Sequence, residues 1–180
     1  MGGIIEVLLG FMDKGGDVLW LIAALLFVMW TLIFERIWYL QFGWKNDVAQ
    51  VIGKWEGRSE RKSWEAEQIR AMLVSQARMQ INRNLPVIKT LVALCPLLGL
   101  LGTVLGMVGV FEVIAASGND DAQAMARGIY RATIPTMAGL VVALTGIYFT
   151  VRLRRLADRE ASHLQDRLSS RDMAATGVLA

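Results

Sequence analysis

Two threonines are the polar side chains best placed for chemistry inside the apolar stretches of this chain. Thr103 lies within the uncharged run 90–111, and Thr136 lies within the uncharged run 132–151. A hydroxyl donates one hydrogen bond and accepts two without carrying a charge, so inside a bilayer it can serve water or a carboxyl group. Two interpretations stay open for Thr103: it bonds its own backbone and packs, or it serves such a ligand.

Small residues form a stripe near each of these threonines. At ~100° per residue, each set falls within an arc of about 80° on one side of a helix. Glycine destabilises a helix in water, and in lipid such a stripe is typical of close helix–helix packing. We therefore predict a packing role for six glycines, which are Gly99, Gly102, Gly106, Gly109, Gly139 and Gly146. Two prolines in the same runs, Pro96 and Pro135, predict kinks.

Composition excludes most other chemistry. The chain has 180 residues, 54% of them hydrophobic and concentrated in blocks, which is typical of a membrane protein. Its one cysteine (Cys95) and one histidine (His163) belong to no cluster with metal-ligand spacing. The sequence contains no phosphate-binding loop and no dinucleotide fingerprint. We therefore predict no enzymatic activity, no metal and no cofactor.

The order of apolar and polar blocks predicts an all-α membrane protein with three transmembrane helices and long cytoplasmic helical extensions. The glycine pair at 15–16 is predicted to interrupt the helix before the first span. The predicted segments are an N-terminal interfacial helix on the periplasmic side at 1–15, a first transmembrane helix at 16–40, a cytoplasmic helical segment at 41–87, a second transmembrane helix at 88–114, a short periplasmic link at 115–128, a third transmembrane helix at 129–151, and a cytoplasmic C-terminal helix and tail at 152–180.

The polar middle segment predicts an amphipathic helix that continues to Pro86 and, after a kink, into the second span. One face of this helix is marked by Ile69, Met72, Leu73 and Gln76. That face could be a solvated surface, an assembly surface or a packing surface against the C-terminal tail. We favour the last of these interpretations.

Basic residues indicate the orientation. Of the 19 lysines and arginines, all except Lys14, Arg127 and Arg131 lie in the middle segment, in the tail or at the adjoining ends of the spans. Short loops rich in Lys and Arg stay on the cytoplasmic side of the membrane. We therefore expect a multi-pass membrane protein whose N-terminus faces out and whose middle segment and C-terminus face the cytoplasm. This distribution explains the net charge of +3 better than nucleic-acid binding does.

Several motifs occur together, in one order, along nearly the whole chain. They are 14–20 and 34–39 in the first span, 96–107 in the second, and Gly128, Ile129, Ala132, Thr136 and Gly139–Val141 in the third. On these residues the sequence resembles the MotA/TolQ/ExbB proton channel family, and within it the ExbB-type subunits. The resemblance implies a homo-oligomeric ring in the bacterial inner membrane, pentameric in relatives, whose second and third helices line a central pore. It also implies that the outward side, with the N-terminus, is the periplasm.

The resemblance also implies partners and roles. An ExbD-like partner dimer would occupy the pore and carry the titrating Asp, and proton flow would drive a TonB-like protein that works outer-membrane transporters. Thr103 and Thr136 would take the positions of the two pore-facing threonines. Membrane lipid would surround the ring, and nucleic acid is not expected as a partner.

Two alternative functions stay open. One belongs to another class of function, and the other belongs to another branch of the family. The chain could be a non-conducting scaffold, or a mixed-ring partner of a longer ExbB-like paralogue. It could also be a Tol-type subunit similar to TolQ. The feature that raises the scaffold alternative is Arg131, which stands where close relatives have a Glu at the outer end of the third span. A ring of arginines at a pore mouth repels cations unless it is neutralised.

Glu112 is the candidate that could neutralise Arg131. Counted outward from the level of the two threonines, Glu112 lies ~13.5 Å away and Arg131 ~7.5 Å away at helical rise. Long side chains on neighbouring subunits can bridge the remaining ~6 Å. We therefore expect Glu112 and Arg131 to line the outer pore mouth as a charge pair. The alternative is that both side chains extend separately to the lipid headgroups.

A charge swap tests this pair. Glu112→Arg and Arg131→Glu should each weaken assembly, because each places like charges together around the ring, and the double swap should restore assembly. The measurement is the yield of oligomer after mild detergent extraction. Equal behaviour of the two single variants and the double variant would contradict the pair.

Overall fold

A computed structural model describes residues 2–57, 63–117 and 122–175 of the chain. Over those residues every regular element is helical. The elements are α1 at Gly2–Trp38, a π-helical segment at Tyr39–Gly43, α2 at Trp44–Glu56, α3 at Trp64–Asn82, α4 at Leu85–Ser117 and α5 at Ala122–Ala175. Three stretches, Gly15–Glu56, Trp64–Ala115 and Met125–Ser169, are long and apolar enough to cross a membrane. The predicted all-α multi-pass membrane fold is confirmed.

A sharp break divides α1 at Gly16. This residue has φ 66° and ψ −166°, which is not helical. Residues other than glycine rarely adopt this backbone conformation, because a Cβ there adds strain. The predicted interruption at the glycine pair is therefore confirmed, and it separates the N-terminal helix from the apolar part of α1.

The helices form two compact units, one of which comprises 1–31 and 87–148. This unit contains the apolar part of α1, most of α4 and the first half of α5. Its core consists of fully or nearly fully buried aliphatic side chains and the thiol of the single cysteine, among them Leu19, Ile22, Met29, Val92, Cys95 and Ala143. Cys95 Sγ lies 3.3 Å from the Leu91 carbonyl within its own helix, so the cysteine acts as a packing residue.

The other unit comprises 32–86 and 149–180. Here α2 packs against α3. The C-terminal part of α5 contributes a buried stripe at spacings of three and four, formed by Leu153, Ala157, Ala161, Leu164 and Leu168. Residues at these spacings form one apolar face of the helix, as expected for an amphipathic helix that packs against others. Trp44 is also buried, and its indole N–H donates to Glu160 Oε2 at 3.0 Å.

The buried face of α3 differs from the predicted one. Of the predicted face only Leu73 is buried, whereas Met72 is 51% exposed. The observed face, formed by Ala66, Leu73, Ala77 and Ile81, lies about 90° around the helix from the predicted one. Two of the four buried residues are alanines, whose small side chains allow a neighbouring helix to approach closely.

The junction between α3 and α4 also corrects the sequence prediction. The helix of the middle segment ends at Asn82 and does not continue to Pro86, which lies in the first turn of α4. Proline fits there because the N–H it lacks has no helical partner in a first turn. The turn is held by the end of the first apolar segment: Arg36 Nη2 donates to the Gln80 carbonyl at 2.6 Å, and Asn84 Nδ2 donates to Glu35 Oε2 at 2.7 Å.

The predicted turn between the second and third spans falls partly on residues 118–121, which lie outside the described residues. On its far side α5 begins at Ala122, before the predicted start of the third span at 129. At its C-terminal end α5 continues without a break to Ala175. The helices α4 and α5 therefore extend past the predicted ends of the second and third spans, and the boundaries of the spans in the membrane stay a prediction.

Candidate functional site

The glycine stripe of α4 lies directly against α5. A Cβ built on Gly106 would lie 2.5 Å from Ala132 Cβ, and one built on Gly102 would lie 2.5 Å from Pro135 Cβ. Real Cβ atoms do not approach other atoms so closely, so both positions require glycine at this helix separation. The two backbones are therefore close neighbours along this face.

The same contact continues inward through three more glycines. A Cβ on Gly99 would lie 2.9 Å from Thr136 Cα, and one on Gly139 would lie 2.6 Å from the Cys95 carbonyl oxygen. At Gly146 an added Cβ would lie 2.4 Å from Val92 Cγ2. These contacts run in opposite directions along the two helices, so α4 and α5 pack antiparallel.

Near the end of α4 and the start of α5, the contact uses a different glycine from the predicted one. Around Gly109 there is open space, so its packing role stays a prediction that a single chain does not fulfil. Gly128 instead faces α4, where an added Cβ would lie 2.1 Å from Val110 Cγ2. Gly128 continues the α5 stripe at spacings of four and three through Ala132 and Pro135, and this spacing was the signal that could have identified it.

The two threonine hydroxyls make different hydrogen bonds. Thr136 Oγ1 donates across the contact to the Gly99 carbonyl at 2.8 Å. Thr103 Oγ1 donates within its own helix to the Leu100 carbonyl at 2.7 Å. Both threonines are partly exposed. For Thr103 the backbone bond expected from the first interpretation is present, and its oxygen still has acceptor capacity for a ligand.

Both predicted kink residues lie inside helices, Pro96 in α4 and Pro135 in α5. Pro135 is fully buried and its ring packs on Gly102. The missing side chain of Gly102 therefore makes room for a ring whose own helix loses a backbone donor. Kinking at either proline stays a prediction.

Glu112 and Arg131 are both exposed. The contacts of Gly106 with Ala132 and of Gly128 with Val110 set the register between α4 and α5. In that register the two charged residues differ in level by about five residues, or ~7.5 Å. The difference expected from sequence is ~6 Å, about one residue less. The charge pair between neighbouring subunits stays a prediction.

The MotA/TolQ/ExbB proton channel family matches residues 45–166. The chain belongs to that family. The matched region contains both threonines and all of the glycines at the α4–α5 contact, so the resemblance inferred from the motifs is confirmed.

Curated relatives carry the ExbB name. The chain is 35% identical over 103 residues to a putative biopolymer transport protein ExbB homolog of Methanothermobacter thermautotrophicus, which covers 56% of this chain and 36% of the relative. It is 34% identical over 97 residues to biopolymer transport protein exbB1 of Vibrio cholerae, covering 53% of this chain and 42% of the relative. The chain thus spans well under two thirds of the length of these relatives.

Two identical substitutions three residues apart test the glycine contact. Gly106→Ala should lower the free energy of unfolding by about 1–3 kcal/mol, because its Cβ meets the backbone and Cβ of Ala132. Gly109→Ala should be neutral or stabilise by up to ~1 kcal/mol, because its Cβ enters open space and alanine favours helix. The measurement is unfolding of each purified variant in detergent micelles. Equal stability of the two variants would contradict the contact.

Proposed function

We propose that this chain is the ring-forming subunit of an ExbB–ExbD-type complex that uses the proton motive force to energise a TonB-like protein for outer-membrane transport. The observation that carries the proposal is the α4–α5 contact, where small-residue faces pack closely and bring Thr136 against Gly99, one turn from Thr103. Hydroxyls at this position supply polar groups to an ion path without a fixed charge.

Exposed apolar surface on α4 and α5 supports assembly into a ring. Large side chains on both helices are more than half exposed in the single chain, including Leu97 at 59%, Phe111 at 61%, Met137 at 67% and Leu144 at 68%. Lipid covers such side chains on the outside of a ring, and neighbouring subunits and a central partner cover the rest. The proposed assembly is a homo-pentamer around an ExbD-like dimer.

The proton carrier in this proposal belongs to the partner. Residues 90–111 of α4 and residues 132–151 of α5 include no Asp, Glu, Lys, Arg or His. A carboxyl on the partner's helix supplies the titrating group, and the ring supplies its surroundings. The chain is thus a stator subunit, not an enzyme. It sits in the inner membrane with the N-terminus periplasmic and the C-terminus cytoplasmic.

A non-conducting scaffold, including a mixed-ring partner of a longer paralogue, is the second candidate. Arg131 favours it, because this exposed cation lies near the outer end of the proposed path. Repeated around a ring, it opposes cation entry unless Glu112 neutralises it. A Tol-type role uses the same architecture with a different periplasmic protein.

Growth on a TonB-dependent iron source separates these candidates, with the cognate partner present and any paralogue deleted. Thr103→Val and Thr136→Val should both abolish growth, because each removes a hydroxyl from the proposed path. Thr103→Val should leave assembly intact, because the hydroxyl it removes bonds only within its own helix. Thr136→Ser should retain growth, because it keeps the bond to Gly99.

Thr145→Val is the matched control. The Thr145 hydroxyl donates to the Val142 carbonyl at 2.8 Å, as Thr103 bonds its own helix, but Thr145 is exposed on the side of α5 opposite Thr136. It should grow like the wild type. Wild type that fails without the paralogue, or threonine variants that grow as well as Thr145→Val, would show that the chain is a scaffold.

A further inference from the structure

A groove of about 1100 Å³ lies between three helical stretches of the unit that comprises 1–31 and 87–148. Its walls are the helix before Gly16, the apolar part of α1 and the first half of α5. Leu19 and Ile22, each only 2% exposed, are among its most buried lining residues. We call this feature the α1–α5 groove.

The α1–α5 groove lies on a different side of α5 from the α4 contact. Its lining residues on α5, among them Tyr130, Met137 and Val141, are centred about 150° around the helix from the residues that meet α4. The groove is therefore separate from the surface proposed to line the ion path. What occupies the groove does not depend on whether the chain conducts protons or serves as a scaffold.

The length of the groove matches one leaflet of a bilayer. On α5 its lining extends from Tyr130 to Val142, which is ~18 Å at helical rise. Half of a bilayer's hydrocarbon core is ~15 Å thick. Tyr130 is 61% exposed, and tyrosine is typical of the membrane–water interface, so this end of the groove fits the headgroup level.

The width of the groove favours a lipid chain over a helix. A helix ~18 Å long and ~10 Å across takes up about 1400 Å³, which is more than the groove offers. The deeper lining, from Leu19 to Leu26 on α1 and from Ile134 to Val142 on α5, is entirely apolar. A flexible acyl chain can follow such a surface and fill it, which avoids the loss of packing that an empty groove causes.

The polar lining of the groove presents negative charge and hydrogen-bond acceptors. Glu6 is the only charged residue among the described lining residues, and it lies in the helix that is predicted to be interfacial. Thr133 Oγ1 donates to the Tyr130 carbonyl at 2.8 Å, so toward a ligand this oxygen can only accept. An ammonium group carries a positive charge and three N–H donors, and therefore complements this lining.

We propose that the α1–α5 groove binds a phospholipid of the outer leaflet whose headgroup carries a primary amine, as in phosphatidylethanolamine. One acyl chain lies between α1 and α5, and the amine lies at Glu6 and Thr133. Charge selects this headgroup, because phosphatidylglycerol has a net negative charge that Glu6 repels, and because a choline group has no N–H to donate.

Two neighbouring alanines of α1 provide a matched test. Ala23 lines the groove, whereas Ala24 is exposed and does not line it. Each variant would be placed in nanodiscs with equal amounts of phosphatidylethanolamine and phosphatidylglycerol of the same acyl chains, then washed in mild detergent. Mass spectrometry of the retained lipid should show phosphatidylethanolamine in wild type and in Ala24→Trp. In Ala23→Trp retention should fall about tenfold or more, because the indole takes the space of the acyl chain.

Two further variants separate the acyl chain from the headgroup. Ala138→Trp fills the groove from α5 and should lose the lipid as Ala23→Trp does, which keeps the test decisive if either tryptophan prevents folding. Glu6→Gln removes an exposed charge and should retain lipid without the preference for phosphatidylethanolamine.

The contrary outcomes are distinct. Wild type that retains no lipid, or equal retention in Ala23→Trp and Ala24→Trp, would overturn the site. A preference for phosphatidylglycerol, or a preference unchanged in Glu6→Gln, would overturn recognition of the amine. A photoreactive residue in place of Met137, which lines the groove, should crosslink to lipid. A crosslink to a second copy of the chain would show that a subunit fills the groove instead. None of these results bears on the proton path, which the growth assay tests separately.

Discussion

The close approach of two antiparallel backbones is the constraint on which the membrane part of this protein depends. Along α4 and α5, six glycines lie where an added Cβ would meet the other helix, and at Gly102 and Gly106 the added atom would lie only 2.5 Å from its neighbour. Apolar side chains gain little by leaving lipid for another helix, because both surroundings are apolar. The contact is therefore stabilised by close packing and by polar interactions. The hydrogen bond from Thr136 to Gly99 is one such polar interaction, and it forms because the two backbones are close.

The same close packing also involves the first span and the threonine hydroxyls. Val18 of α1 lies beside Gly102, and Met29 lies beside Gly146, so the apolar part of α1 packs onto the same small-residue surface. The two hydroxyl hydrogens are used within the fold, one between helices and one within a helix. The packing of α4 on α5 therefore sets both the core of this unit and the hydrogen bond of the Thr136 hydroxyl.

Sequence periodicity predicted what depends on a single helix. The apolar runs, the glycine stripes and the break at Gly16 are properties of one segment, and each is visible in residue spacing. The errors arose where two segments meet: Gly128 contacts Val110 only in one register, and the buried face of α3, with Ala66 and Ala77, belongs to a helix that packs against α2. The acceptor for Thr136 was likewise not predictable, because a backbone carbonyl on another helix has no signature in sequence.

Proton flux into liposomes tests most directly whether the α4–α5 face lines an ion path. The chain would be reconstituted with its ExbD-like partner, alone, and as Thr136→Val with the partner, and acidification of the lumen would be followed under an imposed pH gradient. Flux should require both proteins and should fall at least tenfold in Thr136→Val. Equal flux with and without the Thr136 hydroxyl, in complexes of equal assembly, would contradict a path along this face.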